Sequence, residues 1–185
     1  MSKILILIAA ITLSCGNTLT KTTPTEDIKS ANAEEDLQKN MLIGEFKKED
    51  LQQKPYESWF AAEYESYSPQ PDAMETIREN IEDYEIKVLM GTWCGDSKRE
   101  VPRLIKLLDE ANYDYNKIEM VGVDRNKTTP SKIEEELAVH HVPTIIFYQD
   151  GKEVNRFVEY AQGENLEEDI AKIISGAEYK NSYAD

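Results

Sequence analysis

Two hydrophobic periods divide this chain. Glu85–Met90, Ile118–Asp124, Thr144–Tyr148 and Val154–Val158 are short apolar or alternating runs, which predict strands. Between them, apolar residues recur every three or four positions. Met74, Ile77 and Ile81 predict a helix opening at Pro71–Asp72. A long helix is expected after residues 92–97, ending near Ala111. Another is expected from Pro130 to Val139, with Ser131 near its start, and a closing one from Leu166 to Ile174. Asp150–Gly151, between the last two strands, is a hairpin turn signal. The order strand, helix, strand, helix, strand, strand, helix predicts an α/β domain over residues 71–179. Its helix-separated strands are expected to pair in parallel, with an antiparallel edge added by the hairpin.

Upstream, residues 41–70 read as a helical extension. Tyr56, Trp59, Phe60, Tyr64 and Tyr67 fall on one helical face, and Pro55 suits a first helical turn. Packing against the main domain is the plain expectation for that face, and an aromatic wall beside a substrate groove is the sharper one. Residues 16–40 are polar and poor in large apolar side chains, so they are expected to form a flexible tether. Residues 180–185 read as a C-terminal tail. Residues 1–15 combine Lys3, the apolar run Ile4–Ile11 and Ser14–Cys15, which predicts an export signal. The apolar run is too short to cross a bilayer core of about 30 Å. Its end resembles the lipobox of bacterial lipoproteins, although Thr12 stands where that family usually has leucine. The resemblance implies lipidation of Cys15 and a domain held on a bacterial membrane, expected to face the periplasm.

Composition narrows the function. The 185 residues carry 36 acidic and 21 basic side chains, a formal net charge of -15. Duplex binding depends on Lys and Arg neutralising phosphates, so nucleic acid is a poor partner. Two cysteines, Cys15 and Cys94, cannot build a disulfide framework or a paired Cys-x-x-Cys metal cluster. His140 and His141 adjoin each other, but side chains of neighbouring residues in an extended segment diverge. No metal and no cofactor is expected.

The candidate chemistry lies at Thr92-Trp93-Cys94-Gly95-Asp96-Ser97-Lys98, between a predicted strand and a predicted helix. A cysteine at a helix start meets free backbone N–H groups and the positive end of the helix dipole. Lys98 and Arg99 add positive charge, which favours the thiolate, the form that attacks disulfides. Asp96 opposes them. The motif resembles the Trp-Cys-Gly-x-Cys-Lys site of thioredoxins, with Ser97 in the second cysteine position. Pro102, eight residues after Cys94, and His141-Val142-Pro143-Thr144, before the third strand, match that family's kinking proline and its cis-proline loop. The resemblance implies a thioredoxin fold, three α/β/α layers around a central mixed sheet. It also implies a catalytic Cys94, and a substrate surface formed by Trp93, Gly95, Val142 and Pro143, with Val142–Pro143 in the cis form.

Two departures shape the expected activity. Ser97 cannot resolve a mixed disulfide, but its hydroxyl can donate a hydrogen bond to the Cys94 thiolate. Val88 stands where thioredoxins often bury an acid. Monothiol disulfide exchange or isomerisation on exported proteins is therefore expected, recycled by an external thiol or a thioredoxin-type reductant. His141 is a candidate proton donor to the leaving thiol. A non-catalytic peptide-binding module or holdase is the alternative. A peroxidase is less favoured, since Gly91 replaces the threonine that peroxiredoxins place three residues before their cysteine.

Overall fold

The computed structural model describes residues 40–184. The expected export signal, Cys15 and all of the tether except Asn40 lie outside the described residues. Among the described residues the strands and α-helices follow in chain order: β1 (Gly44–Phe46), α1 (Lys48–Leu51), α2 (Glu57–Ser66), α3 (Pro71–Asn80), β2 (Glu85–Met90), α4 (Gly95–Glu110), β3 (Ile118–Gly122), α5 (Ile133–Glu136), β4 (Thr144–Gln149), β5 (Lys152–Val158) and α6 (Leu166–Ser175).

The sheet has the order β1-β3-β2-β4-β5. Strands β2 and β3 are parallel, while β4 runs antiparallel to both β2 and β5. The expected parallel pairing therefore holds for one pair of strands and fails for β4. The reason lies in the connection after β3. A parallel return needs a crossover along the full strand length, usually a helix. Here the expected helix over Pro130–Val139 contracts to the single turn α5. Lys132 and Ala138, in left-handed backbone at φ +59° and +50°, bound it on either side. The buried Glu134 carboxylate reaches back and accepts from the Thr129 N–H and hydroxyl at 3.1 and 2.6 Å. The chain therefore stays at one end of the sheet, and β4 starts beside the C-terminal end of β2, with Leu89 opposite Thr144.

The period-two pattern sorts side chains into two clusters of unequal size. Ile86, Val88 and Met90 of β2 enter the larger one, with Met120, Ile145, Phe147 and Phe157 from the other strands. Helices α2, α3, α4 and α6 close over that face. Val101, Leu104, Ile105 and Leu108 form the buried stripe of α4 at helical spacing. The opposite face holds Leu89, Val121 and Ile146 under Val139 and Val142. Beyond that patch the face is polar, with Lys87 and Glu119 paired at 2.8 Å. The three layers are present, but the layer contributed by α5 is thin.

The extension is more than helical. Strand β1 pairs antiparallel with β3, so residues 44–46 form a sheet edge that the aromatic spacing did not reveal. Gly122 permits this approach, because a Cβ there would collide with the carbonyl of Leu42. Pro55 lies in the turn before α2 and not in its first helical turn. Tyr56 and Phe60 are buried against the domain, and Trp59, Tyr64 and Tyr67 pack at the edge of the same cluster.

Candidate thiol site

Cys94 is the N-cap of α4, at the point where β2 gives way to helix. Its own N–H bonds to the Gly91 carbonyl at 2.9 Å, and its carbonyl accepts from the Lys98 N–H at 3.1 Å. N-cap side chains usually satisfy the first helical N–H groups. The Cys94 side chain makes no such bond. Its thiol donates instead to the Val142 carbonyl at 3.2 Å, across 48 residues of sequence. The positive end of α4 is therefore left uncapped beside a half-buried sulfur, the free cysteine among the described residues.

The cis-proline loop forms the other wall. Val142–Pro143 is cis, as the resemblance implied. Both residues are buried, and the loop is fixed at two points. The Thr144 hydroxyl donates to the His141 carbonyl at 2.7 Å, and the Glu159 N–H donates to the Pro143 carbonyl at 2.8 Å. Trp93 folds back over Gly91, where an added Cβ would lie 2.6 Å from the indole Cε2. Its indole N–H donates to the Val123 carbonyl at 3.1 Å, and the Arg125 guanidinium lies 5.8 Å from its ring centre. Around Gly95, by contrast, nothing lies within 4 Å of the position a Cβ would take. That side of the thiol is open.

The charged neighbours are arranged differently from the expectation. Lys98 sits over the Trp59 ring at 5.8 Å, so an aromatic residue of the extension reaches the edge of the site. Arg99 pairs with Asp96 at 2.8 Å and with Glu100 at 2.6 Å. Asp96 is thus balanced by a cation, and both cations are committed to partners other than the sulfur. Ser97 is fully buried, and its hydroxyl accepts from the Gly91 N–H at 3.2 Å. This hydrogen bond braces the loop before the cysteine and does not run to the thiol. Sequence reasoning missed Glu100. It is almost fully buried, one of its carboxylate oxygens has no partner, and burial raises its pKa against the opposing pull of Arg99.

His140 and His141 differ in exposure and in partners. His140 is exposed, whereas the His141 ring stacks on Tyr183 at 3.7 Å and meets the Glu159 carboxylate at 3.4 Å. Among the described residues, no three His, Cys, Asp or Glu side chains converge to hold a metal ion. Glu159 and Tyr183 had no signal in the sequence pattern, since one follows a strand and the other lies in a polar segment.

Comparison with known proteins places this geometry. The family model for thioredoxin matches residues 74–172. Thioredoxin from Staphylococcus saprophyticus is 36% identical over 82 residues, spanning 44% of this chain and 74% of that protein. Thioredoxin from Staphylococcus aureus is 32% identical over 110 residues, spanning 54% of this chain and 98% of that protein. Among solved structures, a protein of unknown function from Pseudomonas aeruginosa aligns with a TM-score of 0.51 at 17% identity, over 65% of this chain and 84% of that one. At that identity the likeness is one of fold.

Proposed function

The chain belongs to the thioredoxin family, and from that premise we propose that it exchanges disulfides through Cys94 acting as a single reactive thiol. The observation that carries this reading is the position of the sulfur. It lies partly exposed at the uncapped start of α4, against the cis-proline loop, with a buried serine one turn further along.

The steps follow from that arrangement. Deprotonated Cys94 attacks one sulfur of a substrate disulfide. A new S–S bond forms to Cys94, the old one breaks, and the departing thiolate takes up a proton. His141, next to Val142, is the side chain proposed to supply it. Ser97 cannot attack the mixed disulfide, so release needs another thiol. If a second cysteine of the substrate attacks, the substrate leaves with a rearranged disulfide and no net redox change. If an external thiol attacks, the substrate leaves reduced and the external thiol takes over the disulfide bond to Cys94, which a second external thiol clears. The chemistry fits isomerisation or removal of a thiol adduct. Val142, held in place by Pro143, offers its backbone to an extended peptide, Gly95 leaves room for it, and Trp93 gives the pocket a flat apolar wall.

The substrates in this reading are exported proteins. The export signal and the lipobox-like Ser14–Cys15 support a domain tethered to a bacterial membrane by lipid, facing the periplasm.

One observation favours a second reading, a peptide-binding holdase: Lys98 and Arg99 are engaged away from the thiol. Cys94→Ser separates the two readings. Exchange predicts complete loss of turnover of a scrambled-disulfide substrate by this variant. Retention of full chaperone-like protection of an unfolding protein by both forms, with no turnover by either, would favour the holdase.

A further inference from the structure

The residues after α6 do not trail away from the domain. Asn155 donates to the Tyr179 carbonyl at 3.2 Å. The Ser182 hydroxyl donates toward the carbonyls of Val158 and Tyr160, at 3.0 and 3.1 Å, and accepts from the Gln162 amide at 2.8 Å. These bonds carry Tyr183 back to His141, the residue before Val142. Its ring stacks on His141 at 3.7 Å with an interplanar angle of 14°, and its hydroxyl donates to Glu159. That hydrogen bond pushes the Tyr183 pKa up to about 12, and Asp96, in the first turn of α4, adds to the same rise.

The partner that holds it is strained. Glu159 has φ +61°, and the Tyr160 N–H closes a tight turn onto the Val158 carbonyl at 2.8 Å. A non-glycine residue persists there only where its surroundings fix it. Here it is fixed by the Pro143 carbonyl through its N–H and by His141 and Tyr183 through its carboxylate.

His141 precedes Val142 in the cis-proline loop, and Tyr183 covers one face of its ring. We propose that residues 181–184 form a strap, latched by Tyr183, that screens the thiol site and must lift before a peptide disulfide can bind; this rests on the exchange reading above. Tyr183 is 47% exposed, and the strap is held by its ring stack and hydrogen bond together with the Ser182 hydrogen bonds to Val158, Tyr160 and Gln162, not by extensive burial. It can open locally without unfolding the domain. Small reagents reach Cys94 past the open side at Gly95 with the strap in place. The strap therefore sorts substrates by size, since a site that is competent only when open binds peptides more weakly in proportion to its open fraction.

The test compares the whole protein with its Tyr183→Ala variant, following modification of Cys94 by mass. One reagent is iodoacetamide, and the other is a peptide of about ten residues carrying a mixed disulfide with an aromatic thiol. Loss of one aromatic stack and one hydrogen bond should speed the peptide reaction about three- to tenfold and leave the iodoacetamide rate unchanged. Tyr183→Phe should fall between. An unchanged or slower peptide reaction in Tyr183→Ala overturns the strap. If Cys94 accepts no disulfide in any form, the exchange reading falls separately. The strap is then decided in Cys94→Ser protein, where Tyr183→Ala must tighten binding of the reduced peptide by a similar factor, and equal affinity overturns it.

Discussion

At Ser97 the fully buried hydroxyl holds the Gly91 N–H, one helical turn from the sulfur of Cys94. Residues three apart on a helix lie about 5–6 Å apart, within the range a disulfide spans. Ser97→Cys is therefore expected to form a disulfide with Cys94 under mild oxidation and to gain net reduction of protein disulfides. Mass and thiol titration check it, and two persistent free thiols would contradict it. Gly91→Ala would press a methyl group to 2.6 Å from the Trp93 ring. The expected cost is about 1–3 kcal/mol, read by urea unfolding, with altered Trp93 emission. Glu100 carries a pH dependence. Its pKa in the folded protein is raised by burial, so its neutral form suits the fold. That contribution is fully present below the unfolded carboxyl value of about 4.3 and is lost as pH rises through the folded value. Glu100→Gln should flatten the stability profile over that window, and an unchanged profile would contradict it. Trp93, Cys94, Gly95, Val142 and Pro143 were legible because their motif is local. Gly91, Glu100 and Glu159 were not, because each is defined by what packs against it from elsewhere in the chain.

Elements were legible where one period dominates. The strand at Glu85–Met90 matches the expectation residue for residue. Pro130–Val139 misled, because its polar, acidic run looks helical, while left-handed residues and the Glu134–Thr129 bonds cut it to one turn. Strand β1 is three residues long, too short for any period to show. The extension is joined to the domain by buried aromatics and by polar ties. Tyr67 donates to the buried Glu167, and the Gln70 N–H donates to the same carboxylate at 2.9 Å. Phe60, 4% exposed on α2, stacks with Tyr64 and meets Trp59 edge-on. Phe60→Ala is expected to cost about 3–5 kcal/mol in a single unfolding transition. A loss below about 0.5 kcal/mol, the range of ordinary surface changes, would mean that the extension is not integral to the core.

Across the whole molecule, a site is assembled from segments 48 residues apart, with Trp59 of the extension beside Lys98 and Tyr183, after α6, stacked on His141. Its order of assembly explains the limits of sequence reading. A strand–helix junction and a proline loop declare themselves, whereas Trp59 beside Lys98 and Tyr183 on His141 exist only once the chain has folded.

The claim that joins these scales is that Cys94 works without an internal partner. It is tested most directly by mixing the protein with a disulfide-bonded peptide near neutral pH and mapping the product by mass. A peptide adduct on Cys94 that persists until a thiol is added, and then returns the free cysteine, is the expected result. An absence of adduct, or its spontaneous release without added thiol, would contradict the account.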